Sequence, residues 1–191
     1  MIILLSMEQD DTGRLLEAIK YASEKHAGQL RKGSARIPYI NHPIAVTQLL
    51  YETGVSETDV LIAGALHDVI EDTNTPPDEI KEFFGSEILN LILELTDDMS
   101  LPHDERKQRQ IETAPGISIP AKMIRIADKI CNLRDIMYYP IDWDTEKKKM
   151  YMEWAEKVVA GCRGLNLALD TVFDETLEKF YALLSAEERS K

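Results

Sequence analysis

Cysteine is scarce in this sequence: Cys131 and Cys162 are the only two among 191 residues. Two thiols build no disulfide framework, and each is read as a small apolar residue in a helical segment. Basic residues are also in deficit, with 22 Lys and Arg against 34 Asp and Glu and a net charge of -12. A chain of that sign lacks the basic face that nonspecific nucleic-acid binding or docking on anionic lipid requires. If its ligand is a polyphosphate, a local basic cluster or a metal must overcome the overall field. Long hydrophobic runs are missing as well. The short apolar stretch at 1–7 has no basic start and runs into acidic residues at 8–11. Neither a signal peptide nor a membrane anchor is expected, and a cytoplasmic protein is. Aromatic residues make up only 7%, while Leu, Ile, Ala, Glu and Lys abound, a mixture that favours helices.

What is present is enough apolar material, 44% of the chain, for one sizeable core and one domain spanning 1–191. The periodicity is helical throughout. Leu15, Ile19 and Ala22, with Leu16 beside them, predict a first helix capped by Thr12 and running to about residue 26. The Gly-, Pro- and basic-rich stretch 28–43 predicts a loop, with Pro43 in the first turn of a second helix that Gly54 ends. Ser56 opens a third helix predicted to continue to about Asp72. Pro76 and Pro77 start a short helix ending at Gly85, and apolar 87–95, charged 104–112 and central 121–136 follow. A stripe of Met150, Tyr151, Trp154, Ala155, Val158 and Val159 and a last helix over about 165–184 complete an all-α fold with no strand pattern.

The sharpest chemical feature is His67-Asp68-Val69-Ile70-Glu71-Asp72. On a continuous helix its four polar groups would share an arc of about 140°, leaving Val69 and Ile70 for the core. Imidazole nitrogen and carboxylate oxygen together suit Mn²⁺, Fe²⁺ or Zn²⁺. A His-Asp pair alone is weak: His103-Asp104 also occurs, in what reads as a solvated helix start. Asp128 lies in a strongly apolar segment and needs a partner, either an ion pair with Lys129 or Arg125 or a metal. Asn132 and Asp135 share its helix face. His42 stands where a loop enters a helix.

The order His42, His67-Asp68, Asp128 resembles the H…HD…D pattern of the HD superfamily. Gly28-Gln29-Leu30-Arg31-Lys32, Pro38-Tyr39-Ile40-Asn41-His42-Pro43, HDVIEDT (67–73), Phe84-Gly85, Leu95-Thr96, Ala127-Asp128-Lys129 and Asn132-Leu133-Arg134-Asp135 resemble, over nearly the whole chain, the hydrolase domain of Rel/Spo-type alarmone enzymes. The stand-alone small alarmone hydrolases look closest. That resemblance implies a single Mn²⁺, with Fe²⁺ or Zn²⁺ as alternatives, held by His42, His67, Asp68 and Asp128. It implies hydrolysis of guanosine tetra- or pentaphosphate to pyrophosphate and GDP or GTP. Glu71 and Asp72 would orient and deprotonate the attacking water and assist the leaving group. Arg31, Lys32 and Asn132 would contact the nucleotide, and Trp143 and Tyr151 would face it. Two imidazoles and two carboxylates leave open metal positions but cancel the ion's charge. Arg31, Lys32 and Arg36 are therefore expected to attract the polyanion.

Two other activities suit the same site: removal of the 2′-phosphate of NADPH, and hydrolysis of adenosine alarmones. A non-catalytic nucleotide-sensing module is a reading of a different class, disfavoured because Glu71 and Asp72 are both present. A di-iron centre would need more ligands than His26 and His103 can add. Nothing in the sequence encodes a synthetase, a regulatory module or a nucleic-acid reader.

Overall fold

Asp10 starts the ordered helices by accepting a hydrogen bond from the Gly13 amide at 2.8 Å. The cap is thus Asp10, and the predicted Thr12 lies within the first turn. The computed structural model describes residues 10–189, and the apolar stretch at 1–7 lies outside the described residues. The helices are α1 (Asp11–Lys25), α2 (Asn41–Glu52), α3 (Thr58–Leu66), α4 (Val69–Asp72), α5 (Pro77–Phe84), α6 (Ser86–Leu95), α7 (His103–Thr113), α8 (Ile119–Tyr138), α9 (Thr145–Ala160) and α10 (Leu167–Arg189). Among the described residues the only β feature is an isolated bridge between Leu30 and Pro38, so the expected all-α class holds.

Side-chain caps explain several starts. Ser118 caps α8 by accepting from the Ala121 amide, and Asp144 caps α9 by accepting from Lys147. Pro43 does sit in the first turn of α2, where its missing N–H costs nothing, but the helix begins earlier, at Asn41. His42 is therefore inside that turn, not ahead of it. The predicted third helix is two pieces. α3 stops at Leu66, His67 and Asp68 form a turn, and the four-residue α4 follows. His67, Asp68, Glu71 and Asp72 are thus gathered by a bend and not by one uninterrupted helical face.

The core is built around α8, whose Ile124, Ile126, Ala127, Ile130 and Leu133 are fully buried. α2, α6, α9 and α10 all pack on it. α3 is buried from Val60 to Leu66 and sits against α1, α2 and α6. Gly64 permits the α2–α3 contact, since an added Cβ would fall 2.9 Å from Leu50 Cδ1. The predicted α9 stripe needs one correction: Met150 is exposed and Met152 is the buried methionine. In α1, Leu16, read beside Leu15, Ile19 and Ala22, is also exposed. Phe173 and Phe180 anchor α10. Phe173→Ala is expected to cost about 3–5 kcal/mol of unfolding free energy, the range for a fully buried aromatic, checked by urea titration.

One tight approach matters for the site. Gly33 has φ of +112°, and a Cβ there would lie 2.3 Å from the Pro140 carbonyl oxygen. That oxygen accepts a 3.1 Å hydrogen bond from the Ser34 amide. Only glycine allows the basic 28–43 loop to close against the segment after α8.

Candidate functional site

The first turn of α2, the bend between α3 and α4, and the middle of α8 bring four polar side chains to one buried point. His42 Nε2 lies 3.0 Å from Asp128 Oδ1 and 3.7 Å from Asp68 Oδ2. His67 Nε2 lies 3.2 Å from Asp68 Oδ2 and 3.8 Å from Asp128 Oδ1. The other nitrogen of His67, Nδ1, donates to the Gly64 carbonyl at 2.7 Å, so Nε2 is the one aimed at the acids. That Nε2 is fully buried yet has no hydrogen-bond geometry to either carboxylate. A buried, unsatisfied imidazole nitrogen facing two carboxylate oxygens is costly unless a cation completes it. The donor set suits a first-row divalent ion, and His42, His67 and Asp128 alone already place ligand atoms within 4.8 Å of one another. The four residues fit a metal.

The electrostatics agree. Burial opposes charge on His67, but Asp68 and Asp128 outweigh it and push it up to about 10. A metal taking that nitrogen would have to displace a proton, so ion uptake should be weaker at lower pH. His42 moves down, because burial, with Arg31's charge added, outweighs the nearby carboxylates. Burial would raise Asp68, but the facing His67 holds it below the usual carboxylate range. Asp128 is likewise held low against burial, chiefly by Lys129. Of the partners foreseen for Asp128, the Lys129 ion pair is present. Asp128 Oδ2 takes the Lys129 ammonium at 2.9 Å, while Oδ1 faces His42 and accepts from Asn132 Nδ2 at 2.6 Å. Arg125 is occupied elsewhere, donating to the carbonyls of Glu94 and Leu95.

Glu71 and Asp72 stand beside this point. Glu71 accepts from the Asp97 amide at 2.9 Å, and burial pushes its carboxyl up to about 7. Asp72 is more exposed and is raised by partial burial and then by Asp68. Tyr39, quoted above only as part of a motif, reaches both acids. Its hydroxyl is 2.7 Å from Asp68 Oδ2 and closer still to Asp72 Oδ2.

These groups floor a cavity of about 870 Å³. Arg31 lines one side, with its side chain only 14% exposed. Its Nε donates to Asp135 Oδ2 at 2.8 Å and its Nη2 to Asn132 Oδ1 at 2.5 Å, and it lies over the Tyr39 ring. The Arg31 charge is thus met within the protein by Asp135. Lys32 is exposed at the cavity, whereas Arg36, in a left-handed backbone conformation, does not line it. Trp143 and Tyr151 also line the cavity, with ring centroids 5.7 Å apart. The cavity also holds residues the sequence reading missed. Trp154, read as core, faces the cavity beside Tyr151 at 5.2 Å. Lys107 and Lys129 lie 4.6 and 4.4 Å from the Trp154 ring centroid, and Lys147 lies 4.7 Å from that of Trp143. Lys107 sits in a helix that reads as uniformly solvated, so no local pattern marks it. His103, with its side chain 69% exposed and paired to Asp104, edges the cavity outside the converging ligand atoms, as the weakness of its dipeptide predicts.

Comparison with known proteins gives three findings. The HD domain family matches residues 18–158. The guanosine-3′,5′-bis(diphosphate) 3′-pyrophosphohydrolases MESH1 of Xenopus tropicalis and Homo sapiens are 45% and 44% identical to this chain, covering 86% and 84% of it and 93% and 90% of their own lengths. A solved structure, described as a metazoan ortholog of SpoT that hydrolyzes ppGpp and plays a role in starvation responses, superposes with a TM-score of 0.83 at 40% identity, covering 87% of this chain and 94% of its own.

Proposed function

The chain belongs to the HD domain family, in the branch of the stand-alone MESH1 hydrolases, and from that premise we propose that it is a metal-dependent hydrolase of guanosine tetra- and pentaphosphate. It removes the 3′-pyrophosphate and releases GDP or GTP. The observation that carries this reading is the buried meeting of His42, His67, Asp68 and Asp128 at the floor of a cavity walled by cations and aromatic rings. We assign the metal to those four residues and take Mn²⁺ as the ion, with Fe²⁺ and Zn²⁺ as its rivals. When bound, it supplies Lewis acidity toward a phosphoryl oxygen and a more acidic water.

The protein's own groups do the rest. Glu71, whose carboxyl burial pushes up to about 7, is matched near neutral pH to take a proton, as the carboxylate, from the attacking water. The new phosphorus–oxygen bond forms as the bond to the ribose 3′-oxygen breaks. Asp72, hydrogen-bonded to the Tyr39 hydroxyl, orients the water and helps return a proton to the departing oxygen. Arg31, Lys32 and Asn132 contact the nucleotide, and Lys107 and Lys147 add to the same positive lining. Trp143 and Tyr151 are tilted by 54° to one another, so a base stacks on one ring at a time. Trp143→Ala is expected to raise KM about tenfold with kcat nearly unchanged, the scale of one lost base–aromatic stack, read by steady-state kinetics.

The deciding experiment is pyrophosphate release from guanosine tetraphosphate by metal-stripped protein with and without Mn²⁺, repeated with Fe²⁺ and Zn²⁺. NADPH and adenosine alarmones serve as competitors. Mn²⁺-dependent release of GDP and pyrophosphate supports the proposal. Metal uptake without release would overturn it, and phosphate release from NADPH would move the substrate. No helix among the described residues is long and apolar enough to cross a membrane. We place the whole chain in one cytoplasmic domain.

A further inference from the structure

Four histidines occur in the sequence. His42 and His67 belong to the ligand cluster and His103 to the cavity rim, which leaves His26. It caps the C-terminus of α1 and is buried. Its ring makes two contacts, and both lead to Asp72.

The first runs through Gln29. The Asp72 carbonyl can only accept a hydrogen bond, so the Gln29 atom 2.7 Å from it is the amide Nε2. That leaves Gln29 Oε1 facing His26 Nδ1 at 2.7 Å, and an amide oxygen only accepts, so Nδ1 donates. The second runs through Tyr39. The His26 and Tyr39 rings stack at 4.7 Å and 22°, and the Tyr39 hydroxyl reaches the carboxylates of Asp68 and Asp72. One route thus ends on the backbone of Asp72 and the other on its side chain.

Asp72 needs such ties. It is the last residue of a four-residue helix and is followed by an extended Thr73. The Asp72 amide donates to the Asp68 carbonyl at 2.8 Å, and a helix this short frays readily unless held from outside. The other His26 nitrogen, Nε2, is buried with no hydrogen-bond partner. A phenyl ring would fill the same space and stack on Tyr39 without burying that unpaired nitrogen. What the imidazole adds is therefore the Nδ1 donor.

We infer that His26 is a positioning residue of the hydrolytic centre, holding through Gln29 and the Tyr39 ring the α4 turn that presents Asp72. This rests on the role given to Asp72 under the proposed function. His26→Phe keeps the stack and removes the donor, and Gln29→Leu removes the link from a partly exposed position. Each is expected to lower kcat about tenfold, the scale of a modest misplacement of a reacting group. KM should change less than about twofold, with bound metal unchanged. The double variant should be no slower than either single one, because both break one chain. His26→Asn, whose amide nitrogen can stand near Nδ1, should recover much of the rate. Amide hydrogen exchange of the metal-free proteins is read in parallel. Exchange at Asp72 and Thr73 should speed up in both single variants while that of α8 stays fixed. Full kcat in His26→Phe, additive losses in the double variant, or loss of metal would overturn the inference. If the wild type releases no pyrophosphate, the proposed reaction fails separately. Exchange then decides alone: faster α4 exchange in both variants sustains the positioning role, and unchanged exchange ends it.

Discussion

Asp128→Ala is expected to lose bound metal and pyrophosphate release together, with kcat/KM down by more than about 10²-fold. Changing a group that merely supports a metal ligand already costs about 10- to 100-fold, and Asp128 offers its own oxygen. The loss should reach stability as well. Asp128 is the 2.9 Å partner of the buried Lys129 ammonium, and removing one member of a buried ion pair leaves the other uncompensated, typically at about 3–5 kcal/mol. A fall in the melting temperature of metal-free protein should therefore accompany the loss of metal. Asp128→Ala combined with Lys129→Met separates the two effects, since it should regain part of the stability and none of the metal. Elemental analysis after dialysis, together with thermal melts, checks both. Full metal content in Asp128→Ala would remove this residue from the ligand set.

Glu71→Gln is expected to act in opposite directions on activity and stability. Metal content should stay unchanged while turnover falls by at least about 10²-fold, the usual contribution of a positioned acid or base. Metal-free Glu71→Gln should be the more stable protein at pH 8. Burial raises the folded carboxyl from 4.5 to about 7, so the folded state holds its proton more tightly than the unfolded state does. The corresponding stability is fully present below about pH 4.5 and is lost as the pH rises through about 7. A glutamine carries no such penalty and can still accept from the Asp97 amide. Because Glu71 is only partly buried, the gain at pH 8 should be about 1–2 kcal/mol, shrinking to nothing near pH 4. Urea titrations at the two pH values measure it. A Glu71→Gln protein that turns over normally would mean that the carboxylate does not handle the proton, and one equally stable at pH 8 would mean that it does not sit in the environment described here.

The helices and the candidate ligand set were legible in the sequence because their signals are short-range. The apolar spacing of α8, the prolines that open α5, the glycine after α2 and the proline within its first turn each involve residues a few positions apart. His67 and Asp68 stood out in their crowded motif and Asp128 as an acid in an apolar helix that needs a partner, while His42 joined them through the resemblance to the H…HD…D order. Even so, local pattern misjudged the bend at His67 and Asp68, where helical spacing continues through a turn that breaks the helix. What the sequence by itself determined was the all-α class, the element order and the identity of the groups that meet. The tertiary structure alone decided how their charges are spent. Arg31 is tied to Asp135 across 104 positions, Tyr39 to Asp68 across 29, and Gln29 to the Asp72 carbonyl across 43. It also turned Trp154, Lys107 and Lys147 toward the cavity from helices whose local pattern reads as core or solvated surface. Periodicity reports which face of a helix is apolar, but a charge is neutralised, and a ring faces a ligand, only through neighbours that packing brings from distant parts of the chain.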